Sequence, residues 1–159
     1  MDRLARINNE ESGALTTALL ACCDVPAWAE TMVAGRPYAS LADLMAEADT
    51  AARRLSRAEV ERALAAHPRI GERAKGSGTE SSWSRQEQST VSRDERTQQE
   101  LLEGNRAYEE RFERVFLICA TGLGADEILA SLRDRLGNDD ATEEAVVAEE
   151  LRKIALLRL

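Results

Sequence analysis

An all-α fold follows from three observations on this chain of 159 residues. Apolar residues recur at spacings of three and four, the period of one helix face. Ala, Leu, Glu and Arg, all strong helix formers, are abundant, while aromatic residues make up only 4%. No alternating apolar and polar stretch bounded by turn residues reads as a strand. The length suits a single domain over 1–159 with a proper core, and the expected architecture is a compact bundle of about seven or eight helices.

The first expected helix covers about Glu11 to Cys23, with Leu15, Leu19 and Cys22 on one face. Pro26 and Trp28 follow in a short turn or helix. Gly35-Arg36-Pro37-Tyr38 is a break, after which Ser40 caps a helix from Leu41 to about Leu55. Ser56-Arg57-Ala58-Glu59 has the form of a capping box, so the next helix runs to about Ala66. His67-Pro68 ends it, because a residue before proline disfavours the α conformation. Gly76-Ser77-Gly78-Thr79 reads as a flexible loop. Ser84 is placed to cap a short helix and Ser92 a long one. The long helix has the clearest pattern: Leu101, Asn105, Tyr108, Phe112, Val115 and Cys119 form one face, ending at Gly122-Leu123-Gly124. Ile128, Leu129, Leu132 and Leu136 mark the next helix, stopped by Gly137-Asn138. The last starts at about Glu143, with Val147, Leu151 and Ile154 inward.

Composition narrows the function. The net charge of -8 argues against nucleic acid, whose phosphates need a basic surface. No apolar run approaches the roughly 20 residues of a membrane span, and Met1-Asp2-Arg3-Leu4 does not open a signal peptide. Cys22, Cys23 and Cys119 are odd in number and two are adjacent, which suits a reducing cytoplasm and small core residues better than a disulfide framework. With one histidine and no Cys-x-x-Cys, a zinc site has too few ligands.

That one histidine, His67, is the obvious group for chemistry near neutral pH. Its structural alternative is a helix-end residue interacting with exposed carbonyls. Glu87 suits an acid/base or orienting partner, and equally a capping-box partner of Ser84. Arg158 extends the inward stripe of Leu151 and Ile154 if the last helix reaches it, where its planar fork would clamp a carboxylate; otherwise it sits in water at a frayed end. Asn105 reads as a buried hydrogen-bonding residue in an apolar stripe. On these residues alone, a helical interaction module and a cofactor-free lyase or hydrolase both remain open.

Several segments in one order carry a resemblance. They are His67-Pro68-Arg69-Ile70-Gly71, Ser84-x-x-Glu87-Gln88, Asn105-x-x-Tyr108 with Phe112, Phe116-Leu117-Ile118-Cys119-Ala120, Arg135-Leu136-x-Asn138, and Ile154 with Leu157-Arg158-Leu159. Together with Trp28 and Arg36-Pro37 upstream, they resemble 2-oxo-4-hydroxy-4-carboxy-5-ureidoimidazoline (OHCU) decarboxylase of uric-acid degradation. Glu113 departs from the family, which often has Gly after the Phe; it is expected on a helix surface. The resemblance implies an all-helical homodimer without cofactor or metal that converts OHCU to (S)-allantoin. It implies His67 as catalytic acid and Glu87 as a catalytic and substrate-binding carboxylate. It further implies a pocket lined by Pro68, Ser84, Arg85, Gln86, Gln88, Phe116, Leu117, Ile118, Cys119, Ala120 and Arg158.

Overall fold

Eight helices with described bounds, and no strand, occur among the described residues, which in this computed structural model are 2–68, 83, 86, 87 and 95–159. The chain divides into two units, Met1–Ala63 with Arg152–Leu159, and Leu64–Leu151.

In the first unit, α1 (Arg3–Asn9) begins at Asp2, whose carboxylate accepts the Ala5 N–H at 2.8 Å. The sequence pattern does not reveal this helix, because Ile7 is its one buried residue and a single apolar position has no period. α2 (Ser12–Cys22) is capped by Glu11, which accepts from the N–H groups of Gly13 and Ala14, donors that a helix start leaves unsatisfied. α3 (Pro26–Ala34) places its proline in the first turn, where no N–H is required. Within this unit the Trp28 indole donates to the Ala48 carbonyl at 3.2 Å, so a fully buried ring also satisfies its polar atom.

The break at Gly35 to Tyr38 is a clasp. Arg36 donates to the carbonyls of Ile7, Glu10 and Val33 and to Ser12 Oγ. Tyr38 N–H donates to Asn8 Oδ1, and the Asn8 amide donates back to the Tyr38 carbonyl. α4 (Leu41–Ala52) starts as expected, with Ser40 Oγ accepting the Asp43 N–H, and stops short of Leu55. The capping box before α5 (Arg57–Leu64) is complete: Ser56 N–H donates to the Glu59 carboxylate at 2.8 Å, and Glu59 N–H donates to Ser56 Oγ at 3.1 Å.

The second unit holds α6 (Glu95–Phe112), α7 (Ala125–Arg135) and α8 (Asp140–Arg158) as far as Leu151. Leu101, Tyr108, Phe112, Phe116, Ile118, Ala120, Ile128, Leu129 and Leu132 form its core, each large side chain contributing about 1.5–3 kcal/mol through burial. Gly104 permits α6 and α7 to approach closely, since a Cβ there would lie 2.9 Å from a Leu132 methyl.

One expectation is corrected here. The long helix ends at Phe112 and does not run through Val115 and Cys119 to Gly122. Glu113 takes a positive φ of 57°, the left-handed conformation that terminates helices. It is exposed, as expected, but at a helix stop and not on a helix surface. Residues 115–120 then run without regular structure. Gly122, at φ 80°, serves a turn closed by Leu123 N–H on the Ala120 carbonyl at 3.0 Å. α8 also starts earlier than Glu143, because Asp139 accepts the Thr142 N–H at 2.7 Å and caps it.

Candidate active site

Helix α5 delivers His67. Beyond Leu64 the chain tightens, and His67 N–H donates to the Leu64 carbonyl at 3.0 Å. The main chain of His67 therefore closes the helix end, as the structural alternative required, while its side chain is half-buried. Pro68, also half-buried, blocks continuation. Arg69 to Gly71, the loop Gly76 to Thr79, and the caps at Ser84 and Ser92 lie outside the described residues, as do Arg85 and Gln88. Glu87 is a half-buried helical residue and Gln86 an exposed one. The cap that would compete for Glu87 thus falls outside the described residues with Ser84.

The segment Phe116 to Ala120 is buried except at Cys119, which is half-buried. Outside a helix its main-chain groups need other partners, and charged side chains supply them. Arg135, at the end of α7, donates from Nη1 to the Leu117 carbonyl at 2.7 Å. Glu150, on α8, accepts the Cys119 N–H at 3.1 Å. Arg135 is held in turn by Glu143: Nη2 donates to Oε2 at 2.6 Å and Nε at 3.0 Å. Tyr108 Oη donates to the same carboxylate, and Asn138 Nδ2 donates to it at 3.1 Å. The guanidinium also lies 4.5 Å from the Phe116 ring centre, a cation–π contact.

These contacts fix the charge states. Burial pulls the Glu143 carboxyl upward, but the hydrogen bonds from Arg135 and Tyr108 outweigh it and hold Glu143 below the usual range. Burial, and then the Glu143 bond, push the Tyr108 phenol up, so Tyr108 stays a donor. Glu143 is fully buried and Arg135 is 5% exposed; such a pair is expensive to break although its formation contributes little net stability.

Arg158 lies in the first unit. Helix α8 reaches it, its side chain is buried, and Nη1 donates to the Ala21 carbonyl at 3.2 Å. The frayed, solvated alternative is thereby overturned. Asn105 is buried on the inward face of α6, as expected. Cys22 and Cys23 are buried thiols outside any disulfide, and burial pushes Cys23 up to about 12, which keeps that thiol protonated near neutral pH and makes it a poor nucleophile. Among the described residues, no helix is long and apolar enough to cross a membrane, and no three His, Cys, Asp or Glu side chains group as metal ligands.

Sequence reasoning missed Glu143 and Glu150 as members of this constellation. The signal was present: Glu143 lies four residues before Val147 and Glu150 seven beyond Glu143, on the same helical stripe. Acidic residues in an inward stripe ask for buried donors.

The comparisons with known proteins agree with one another. The OHCU decarboxylase family matches over residues 8–159. A 2-oxo-4-hydroxy-4-carboxy-5-ureidoimidazoline decarboxylase of Amia calva is 34% identical over 137 residues, spanning 84% of this chain and 78% of that protein. The protein of the same name from Haloferax volcanii is 30% identical over 132 residues, spanning 82% of this chain and 77% of its own. A crystal structure of OHCU decarboxylase in the presence of (S)-allantoin has a similar fold. Its TM-score is 0.73 at 26% identity, with 93% of this chain and 94% of that one covered.

Proposed function

The chain belongs to the OHCU decarboxylase family, and from that premise we propose how its residues divide the work. The protein is a carboxy-lyase that decarboxylates OHCU to (S)-allantoin in urate degradation. The observation that carries this reading is the family match through both units, over the residues bearing His67, Glu87, Phe116 to Ala120 and Arg158. The same run supports treating 1–159 as one functional domain.

Loss of carbon dioxide leaves an electron pair that needs a sink. Many enzymes recruit a cofactor for it. In OHCU the carbon bearing the carboxylate adjoins a ring carbon doubly bonded to nitrogen, so the pair flows into that C=N unit and the reaction proceeds without a cofactor. The protein's task is to orient the substrate, stabilise charge and deliver one proton to one face.

His67 interacts with the hydroxyl beside the leaving carboxylate and then acts as general acid/base in the proton shift. Pro68 restricts the backbone that presents the imidazole. Glu87 accepts hydrogen bonds from ring or ureido N–H groups, with Ser84, Arg85, Gln86 and Gln88 beside it in the chain. Arg158 holds an anionic or carbonyl part of the substrate and sets its orientation. Main-chain groups of Phe116 to Ala120 read the ureido arm. A grip on the leaving carboxylate as tight as possible would stabilise the ground state and slow the reaction, so orientation by Arg158 serves the reaction better than neutralisation. The reading extends to a homodimer in the cytoplasm, of which light scattering on the purified protein checks the first.

The test is optical. Free OHCU decays to racemic allantoin, so wild-type protein added to fresh OHCU should raise a circular-dichroism signal of (S)-allantoin. Decay at the spontaneous rate with no optical activity would reject the assignment.

A further inference from the structure

We infer that Glu150 and Arg135 are positioning residues that aim and polarise the two peptide units flanking Ile118 as a donor–acceptor pair for a ureido group. This rests on the proposed reading that the Phe116 to Ala120 segment receives the substrate, and it specifies how.

Each peptide unit is planar, and in the trans form its C=O and N–H point in opposite directions. Among the described residues the cis bond is Arg36-Pro37, so both units flanking Ile118 are trans. The first contains the Leu117 carbonyl and the Ile118 N–H. Arg135 binds that carbonyl at 2.7 Å, so the Ile118 N–H is turned away from Arg135. The second contains the Ile118 carbonyl and the Cys119 N–H. Glu150 binds that N–H at 3.1 Å, so the Ile118 carbonyl is turned away from Glu150. Anchoring one end of each plane fixes the direction of the other.

The charges of the anchors match the groups they aim. A guanidinium on the Leu117 carbonyl draws electron density through the amide and makes the Ile118 N–H a stronger donor. A carboxylate on the Cys119 N–H pushes density the other way and makes the Ile118 carbonyl a stronger acceptor. Reversed anchors would weaken both. Both anchors are buried, Arg135 at 5% and Glu150 at 9% exposure, so solvent screens the effect little. Arg135 is itself locked by Glu143 and Tyr108. A donor and an acceptor on one residue complement a group that carries both, and a ureido arm has an N–H and a C=O on adjacent atoms. A carboxylate, which only accepts, would match the donor alone.

The decisive variant is Glu150→Ala, with Glu150→Gln as its conservative partner. Gln keeps an acceptor oxygen for the Cys119 N–H and loses the charge. Three measurements are needed: kcat and KM with fresh OHCU, equilibrium binding of (S)-allantoin and of hydantoin (the same ring without the ureido arm), and Tm. We expect Glu150→Ala to raise KM and weaken (S)-allantoin about tenfold, the scale of one well-made hydrogen bond. kcat and hydantoin binding should stay near wild type, and Glu150→Gln should fall between. If Glu150 were only structural, Tm and the active fraction would drop while KM and the allantoin-to-hydantoin preference stayed constant, and the inference would be overturned. Should Glu150→Ala fail to fold, Glu150→Gln decides alone: an unchanged preference rejects the inference and a reduced one supports it. Wild-type protein that neither converts OHCU nor binds (S)-allantoin would instead remove the underlying reading, and this inference with it.

Discussion

Two helix ends in this protein lead into segments proposed to form the site, and they are built differently. α5 stops before His67-Pro68 by local means: a proline that cannot continue a helix and a main-chain bond from His67 to Leu64. α6 stops at Phe112 although nothing nearby in the chain is a helix breaker. Glu113 adopts a left-handed conformation, its N–H still bonded to the Glu109 carbonyl at 2.8 Å, and beyond it Arg135 and Glu150 take over main-chain groups. The first end is written in adjacent residues; the second is imposed by side chains from α7 and α8. A locally made end tolerates changes elsewhere, whereas a remotely made one fails when its distant partners do.

This contrast can be broken or sharpened by substitution. The largest expected effect is at the local end. His67→Ala should lower the rate of (S)-allantoin formation about 10²–10⁴-fold, the usual contribution of a general acid/base, with Tm unchanged because its main-chain bond remains. A Tm loss of the same variant with activity preserved would make His67 structural and erase the contrast.

At the remote end the first response should be in stability. Arg135→Met strands the buried Glu143 carboxylate and should cost about 3–5 kcal/mol in denaturant unfolding. Pairing it with Glu143→Leu should recover most of the loss, because no isolated charge is left. If the double variant is as unstable as Arg135→Met, the bonds to Leu117 rather than the stranded charge set the cost.

Acid should act on the same end. Glu143 has a folded pKa below its ordinary value of 4.5. Its contribution is therefore fully present above 4.5 and is lost as pH falls through the depressed folded value. Glu143→Gln should be less stable at neutral pH and should lose less on acidification over that window. Parallel acid limbs for wild type and variant would refute the assignment.

The smallest effect should come from Glu113→Gly. Glycine adopts positive φ without the Cβ clash, so this variant should gain about 1 kcal/mol after its greater unfolded-state entropy is counted. Glu113→Val should lose at least as much. Equal stabilities in urea would mean that the left-handed turn is not strained.

Much of the fold was legible because much of it is local. Ser40, Ser56 and Pro26 announce helix starts through their own chemistry, and the structure places starts there. α1 escaped notice because Ile7 is alone, and the end of α6 because Val115 and Cys119 keep helical spacing in a stretch that is not helical. Family resemblance, not spacing, drew attention to Phe116 to Ala120. Of the proposed site, His67 stood out as the one imidazole, and the inward stripe pointed to Arg158. Glu143 and Glu150 did not stand out, because an acid on a helix ordinarily signals a solvated face. Their burial is decided by Arg135 and by the Cys119 amide, groups distant in the chain.

The seven-residue interval between Glu143 and Glu150 makes α8 a ruler. Two turns of helix, roughly 10 Å of rise, separate the carboxylate that secures Arg135 from the one that secures Cys119. Exchanging the exposed Ala145 for another helix former leaves that measure intact. Inserting one residue after it would swing Glu150 by about 100° around the axis, taking its carboxylate off the Cys119 amide while Glu143 stayed seated. Length, and not composition, is what this stretch of helix must preserve, so a chain diversified by insertion and deletion would find it among its least editable parts.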